Sequence, residues 1–248
     1  MAILSKKDLA ILISLKTLTE SLGNAGFIVI NSGHQYREHC LGLLRETILF
    51  AALDESFINR LIKNDEDIVK EFFNNPYLRG SSRASRAVCK SKVISIKPEL
   101  LRVLNDVGID AKDLINDDVY FRYVTPDDKP SQSIVHRDAW FHKITDGWDK
   151  LNENSNLKIW TPLLSANRST GLGVIPGSHL HETDQVRFSR DEQGNKRFES
   201  FTELSTADLS PIKVPIGHSI VFPSNLLHGG LDIMEWSPRL SVEITIQL

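Results

Sequence analysis

The sequence predicts an α+β fold, a sandwich or barrel of antiparallel strands with helices packed outside it. Two observations carry this. In the first hundred or so residues apolar side chains recur at spacings of three and four, the period of a helix, whereas after about residue 117 short apolar segments are divided by turn residues. Helices followed by a run of strands argue against the alternating pattern of a parallel sheet. A chain of 248 residues can bury a sizeable core, and a single domain over 1–248 is expected, with 1–116 mostly helical scaffold and 117–248 the barrel core.

Taken in order, "KDLAILISLKTLTESLG" has helical spacing and stops at Gly23, after which "GFIVI" reads as a short strand. Helical spacing resumes from Tyr36 to about Phe73 and ends before Pro76. The segment 78–92 carries Arg79, Arg83, Arg86, Lys90 and Lys92 with no acidic residue, and is expected to be an exposed loop. "KPELLRVLNDVG" predicts one more helix, with Pro98 in its first turn. Six strands are then expected in "DVYFRYVTP", "SIVHRDAWFH", "LKIWTPLLS", "GLGVIPGS", "SIVFPS" and "RLSVEITIQL". Between them, 181–208 is highly charged and contains Gly194, so it reads as an inserted long loop or hairpin of the kind that often covers a site.

Composition excludes several functions. Lys plus Arg number 29 against 32 Asp plus Glu, and the net charge of -3 offers no general attraction to nucleic acid or anionic lipid. Cys40 and Cys89 show neither a disulfide framework nor zinc-finger spacing, which fits a cytoplasmic protein. The N-terminal apolar stretch is interrupted by Lys6, Lys7, Asp8 and Lys16, so an amphipathic helix is expected rather than a leader or a membrane span.

The chemistry concentrates in "SIVHRDAWFH". In a strand, His136 and Asp138 project to one face while Arg137 points away, giving two corners of a metal site. A third ligand from a distant strand would complete the two-histidine, one-carboxylate triad of non-haem Fe(II) oxygenases. His228, after the strand "SIVFPS" and against two glycines, is the best candidate. His218 sits in a turn-like "PIGHS" and suits solvent better, and His142 would lie roughly 20 Å along the strand from His136. Taken alone, an H-x-D triplet arises readily by chance. Arg239, eleven residues beyond His228 at the head of an apolar strand, adds weight, because a guanidinium there needs an anion and suits a carboxylate. A carboxylate held at that distance from an iron with open positions describes 2-oxoglutarate, and Ser241 shares the face of Arg239 as a further donor.

With H-x-D, the distal histidine, the arginine eleven residues on and "STGLGVIPGSHL", the sequence resembles the phytanoyl-CoA dioxygenase-like family of Fe(II)/2-oxoglutarate-dependent oxygenases. The likeness covers roughly 117–248, with weaker support from "GNAGFIVI". It implies a double-stranded β-helix, a jelly-roll, cupin-like barrel flanked by helices mainly from the N-terminal half. It further implies His136, Asp138 and His228 as iron ligands, Arg239 as the partner of the distal carboxylate of 2-oxoglutarate, and O₂ as second cosubstrate. Trp160 matches an aromatic position of the cosubstrate pocket and reads equally as core. Thr170 precedes the "GL" pair and suits either the pocket or a turn. Tyr120 and Arg122 share one face of their strand and are candidates for cosubstrate or substrate contact, against a packed tyrosine and a paired arginine; Trp140 and Phe141 would shape the cavity. Gly177, Ser178 and His179 suit a turn and its hydrogen bonds rather than chemistry.

Because a carboxylate occupies position 138, the resemblance implies hydroxylation of an unactivated C–H bond, with release of succinate and CO₂, rather than halogenation. The expected substrate is a polar small-molecule metabolite. Two alternatives use the same barrel: a cupin-type metal-dependent isomerase or hydrolase without 2-oxoglutarate, and a non-catalytic barrel protein. Arg239 and "GLGVIPGSH" argue against the first, and the full set of three ligands plus arginine against the second.

Overall fold

A computed structural model describes residues 22–50, 85–87, 97–106, 108–109, 113–124, 135–142, 156–165, 171–181, 186–190, 196–200, 204–231 and 239–247. Leu22 is helical and Gly23 follows with φ 59°, the left-handed stop expected there, while the rest of the predicted N-terminal helix lies outside the described residues. Strand β1 (Ile28–Asn31) leads into helix α1 (Gly33–Phe50). The rest of the predicted helical stretch to Phe73 lies outside the described residues. Strand β2 (Ser85–Ala87) falls in the basic segment expected to be a loop. It pairs with β3, Ser85 opposite Arg122 and Ala87 opposite Tyr120, so part of that segment is a sheet edge.

Helix α2 (Lys97–Asn105) follows as predicted, with Glu99 in its first turn near the positive end of the helix dipole. Strand β3 (Asp113–Val124) starts five residues before the predicted one. The segment 135–142 departs from expectation. Only His136 makes a bridge, the chain turns at Asp138, and Ala139–His142 forms a short helix, α3. The strands β4 (Asn156–Ser165), β5 (Leu172–Val174), β9 (His218–Pro223) and β11 (Arg239–Gln247) stand where expected. The charged insertion contains a hairpin, β6 (Val186–Arg190) and β7 (Lys196–Ser200), paired from Val186 opposite Ser200 to Arg190 opposite Lys196. Besides β2, two further strands were not anticipated, β8 (Ser210–Pro211) and β10 (His228–Gly230), both too short to show a period.

All pairing is antiparallel. A six-stranded sheet runs β1-β9-β4-β11-β3-β2, and a three-stranded one runs β10-β5-β8. This arrangement is compatible with a jelly roll. Alternation assigns the faces of the large sheet. One face sends Val119, Phe121, Leu157, Ile159, Val221, Leu240, Val242, Ile244 and Ile246 into a cluster with Tyr36, Leu43 and Leu44 of α1 and Leu100 and Leu104 of α2. Each fully buried apolar side chain there contributes about 1.5–3 kcal/mol.

Opposite, Trp160, Ile220 and Phe222 meet Leu172 and Val174 of the small sheet, together with Ile212, Val214 and Leu226. That second face is the one that also carries Lys158, Tyr120 and Glu243: Lys158 is two residues from Trp160 on β4, and Glu243 pairs with both Trp160 and Tyr120. No helix among the described residues is long and apolar enough to cross a membrane.

Candidate metal centre

The site begins with two backbone hydrogen bonds. His136 N donates to His228 O and His228 N to His136 O, both at 2.9 Å, so two residues far apart in sequence are directly opposed. Their imidazole centroids lie 4.4 Å apart, and the other neighbour of the His228 ring is Phe222 at 4.9 Å. Beyond His136 the chain turns, with Ala139 N donating to Ser224 O and Trp140 N to Arg137 O. This turn, rather than the regular strand expected, returns the Asp138 carboxylate toward the two rings. Its Oδ1 is 3.5 Å from His136 Nε2 and its Oδ2 is 3.6 Å from His228 Nε2.

Arg137 points away, as predicted, and has a structural task. Its guanidinium is buried and donates to the carbonyls of Ser178 at 2.9 Å, of His181 at 2.8 Å and of Asn225. The same loops are joined by Leu227 N donating to Ser178 Oγ at 2.9 Å and Asn225 Nδ2 donating to His179 O at 3.0 Å. Gly177, φ 79°, allows the left-handed turn into the 3₁₀ turn Ser178–Leu180. The "PGSH" phrase therefore acts as the turn and hydrogen-bond network that the sequence suggested. Where β5 passes Leu209 and Leu231, a Cβ on Gly173 would lie 2.7 Å from each, so only glycine fits that crossing.

All three candidate ligands are buried, at 7%, 6% and 5% exposure for His136, Asp138 and His228. One atom from each comes within 4.8 Å of the others, a set able to hold a metal ion. Electrostatics favour the ligand protonation states. Burial drives the His228 imidazole down to about 4, with Asp138 opposing and His136 assisting, so the ring is neutral at physiological pH. Nδ1 of His228 faces Leu226 O at 3.0 Å; with its proton on that carbonyl, the Nε2 lone pair is left toward Asp138. For Asp138, burial alone would raise the carboxyl, but Lys158, His228 and His136 outweigh it and hold it well below the usual carboxylate range.

Asp138 Oδ2 accepts no hydrogen bond from the described residues, a costly state for a buried carboxylate oxygen unless a cation takes it. Two imidazoles and one carboxylate are the donor set that suits Fe(II), and the residues fit the ion.

The remaining candidates divide. Ser241 is 1% exposed, and its hydroxyl donates to Arg122 O at the long distance of 3.5 Å. Tyr120 and Arg122 are half-buried on the face of β3 that Glu243 and Ser241 adjoin. Trp160 packs in the apolar cluster between the sheets, and Trp140 packs with Val135, Leu209 and Leu227. At Arg239 the backbone pairs with Val124 and Ser165, while its side chain, like Thr170, lies outside what is described. His218 begins β9 half-buried, opposite Asn31 and apart from the cluster. Missed in the sequence was Lys158, 5% exposed, whose Nζ lies 3.7 Å from Asp138 Oδ2 and 3.1 Å from Glu243 Oε1. A lysine between Leu157 and Ile159 in a central strand was the available signal.

No curated protein matches the chain. Among solved structures, the epimerase SnoN, crystallised with Fe3+, alpha ketoglutarate and nogalamycin RO, is similar with TM-score 0.50 at 14% identity, over 95% of this chain and 84% of that one. EctD from S. alaskensis, in its apoform, is similar with TM-score 0.52 at 14% identity, over 92% and 75%. AviO1 from Streptomyces viridochromogenes Tue57 gives 0.50 at 15% identity, over 100% and 97%. At such identities the likeness is one of fold. The phytanoyl-CoA dioxygenase family model matches residues 52–238, most of the chain and both ends of the His136–His228 bridge. This chain belongs to the phytanoyl-CoA dioxygenase family, and is an enzyme of the non-haem Fe(II)/2-oxoglutarate-dependent oxygenases.

Proposed function

We propose that the protein hydroxylates an unactivated C–H bond of a polar small-molecule metabolite, with His136, Asp138 and His228 holding the iron. The observation that carries this reading is the buried convergence of the three side chains around a carboxylate oxygen that no described donor satisfies. When bound, Fe(II) supplies the oxidising chemistry with 2-oxoglutarate and O₂, leaving succinate and CO₂ as coproducts.

The chain's own residues prepare the site. Leu226 O fixes the tautomer of His228, the reciprocal bridge sets the spacing of the two rings, and the turn at residue 138 aims the carboxylate. In this reading Arg239 receives the distal carboxylate of 2-oxoglutarate, assisted by Ser241, with Tyr120, Trp160 and Thr170 around it. Arg122 and Trp140 face the substrate. The two sheets form a double-stranded β-helix flanked by N-terminal helices in one domain over 1–248. The apolar cluster of Trp160, Phe222 and Val174 keeps water from one side of the centre. A retained carboxylate at 138 supports hydroxylation over halogenation.

The test is anaerobic reconstitution with Fe(II) and 2-oxoglutarate, followed by visible absorption. A weak chelate band that candidate substrates perturb, and that His228→Ala abolishes, is the expected result. Full substrate-dependent succinate formation by His228→Ala or Asp138→Ala would overturn the ligand assignment.

A further inference from the structure

Lys158 stands third in β4, a central strand of the large sheet, with almost no contact with solvent, and a buried ammonium needs counter-charges. It has two. Nζ donates to Glu243 Oε1 at 3.1 Å and stands 3.7 Å from Asp138 Oδ2 without a hydrogen bond to it. Register explains the triangle: Lys158 pairs with Thr245 and Trp160 with Glu243, so Lys158 and Glu243 are diagonal neighbours on one face of adjacent strands. The lysine therefore sits beside the same oxygen that faces His228 Nε2 at 3.6 Å.

We infer that Lys158 and Glu243 are positioning residues that set the affinity of the His136–Asp138–His228 centre for a divalent cation, Lys158 weakening it and Glu243 restoring it. This rests on the reading that these three side chains are the metal ligands. The reasoning is one of charge and place. An ammonium 3.7 Å from Oδ2 competes with a cation for that oxygen and repels it through a poorly screened interior. Glu243, closer to Nζ and with a side chain 22% exposed against 7% for Lys158, draws the ammonium off the carboxylate and offsets its charge. Asp138, Lys158 and Glu243 together carry one net negative charge. Removing the lysine makes that two, and neutralising the glutamate makes it zero. The two variants should therefore shift metal affinity in opposite directions, which loss of packing alone would not do.

The experiment titrates metal-free protein with Mn(II), following free Mn(II) by electron paramagnetic resonance, for wild type, Lys158→Met, Glu243→Gln, the double variant and Asp138→Ala. Lys158→Met is expected to bind about threefold or more tighter than wild type, and Glu243→Gln about tenfold weaker. The double variant returns the group to one net negative charge, so its affinity should fall between those of the two single variants; it also removes the unpaired glutamate, keeping the test open if Lys158→Met folds poorly. Failure of the two readings is distinguishable. Wild type that binds no stoichiometric Mn(II), or Asp138→Ala that binds it equally well, sinks the ligand assignment and the inference with it. One equivalent bound by wild type and lost in Asp138→Ala, with Lys158→Met and Glu243→Gln unchanged or shifted the same way, overturns the inference and leaves the assignment standing.

Discussion

His136 and His228 exchange both of their backbone hydrogen bonds, at 2.9 Å each, in an isolated antiparallel bridge. The spacing of the two imidazoles is thus written into the main chain. Side-chain rotamers have only to choose the ring direction, and for His228 that choice is tied to Leu226 O. A site preorganised in this way depends on whatever holds residues 224–228 and 135–138 in place.

Ser178 is one such support. Its buried hydroxyl accepts from Leu227 N, the residue before His228. Ser178→Ala leaves that N–H unsatisfied in the interior, a loss of about 1–3 kcal/mol. Urea unfolding should show a lower midpoint with an unchanged slope. Affinity for metal should also fall, whereas a variant at the exposed Leu180 should change neither.

Arg137 is the second. Its guanidinium joins the carbonyls of Ser178, His181 and Asn225, three points on two loops, a span that suits the planar fork of an arginine. Arg137→Met should cost on the order of 2–4 kcal/mol, and Arg137→Lys a large part of it, because one ammonium cannot span the same acceptors. Thermal unfolding of both variants measures this. An Arg137→Lys protein as stable as wild type would show that the network carries little.

The fold was legible where periodicity is local. Apolar alternation in "RLSVEITIQL" placed β11, and three-and-four spacing placed the visible part of α1 and all of α2. What could not be read was non-local. A bridge one residue long has no period, so "HRD" passed for a regular strand although His136 is fixed by His228 and Asp138 by a turn. The three candidate ligands could still be named together because residue type and spacing survive an error in local conformation. Lys158 and Glu243 were passed over for a different reason: the large sheet turns its most continuous apolar face to α1 and α2, so the inner face tolerates charge where a core strand would ordinarily exclude it. The edge strand β2, Ser85–Ala87, was hidden by its basic composition, since three residues paired at a sheet edge are too few to show a period.

Cys40 yields a pH prediction. It is fully buried, and burial pushes its thiol up from 9.0 to about 12, against a smaller opposing contribution from the Tyr36 hydrogen bond. A folded value above the unfolded one means that the stabilisation is complete below about pH 9 and is lost as pH rises toward 12, because the unfolded chain ionises first. Stability should therefore decline by up to about 1.4 kcal/mol per pH unit above 9 from this group. Urea midpoints at pH 8, 9 and 10 should fall less steeply in Cys40→Ala than in wild type. In a Cys89→Ser background, iodoacetamide should leave Cys40 unmodified at pH 8 until denaturant is added.

Arg239 separates cosubstrate from metal. Placed by register between Val124 and Ser165 at the head of β11, it lies on a strand that carries none of His136, Asp138 and His228, so its loss need not disturb their geometry. A charge-assisted pair with a carboxylate contributes about 1.5–3 kcal/mol, roughly ten- to a hundredfold in binding. Arg239→Met should raise the 2-oxoglutarate concentration for half-maximal chelate absorption by at least about tenfold. Mn(II) affinity measured without 2-oxoglutarate should remain within about threefold of wild type, since the guanidinium is assigned only to the organic anion. Arg239→Lys should fall between the two, retaining the charge but losing the fork that grips both carboxylate oxygens. Equal loss of metal and 2-oxoglutarate in Arg239→Met would instead make the arginine a structural element of the barrel.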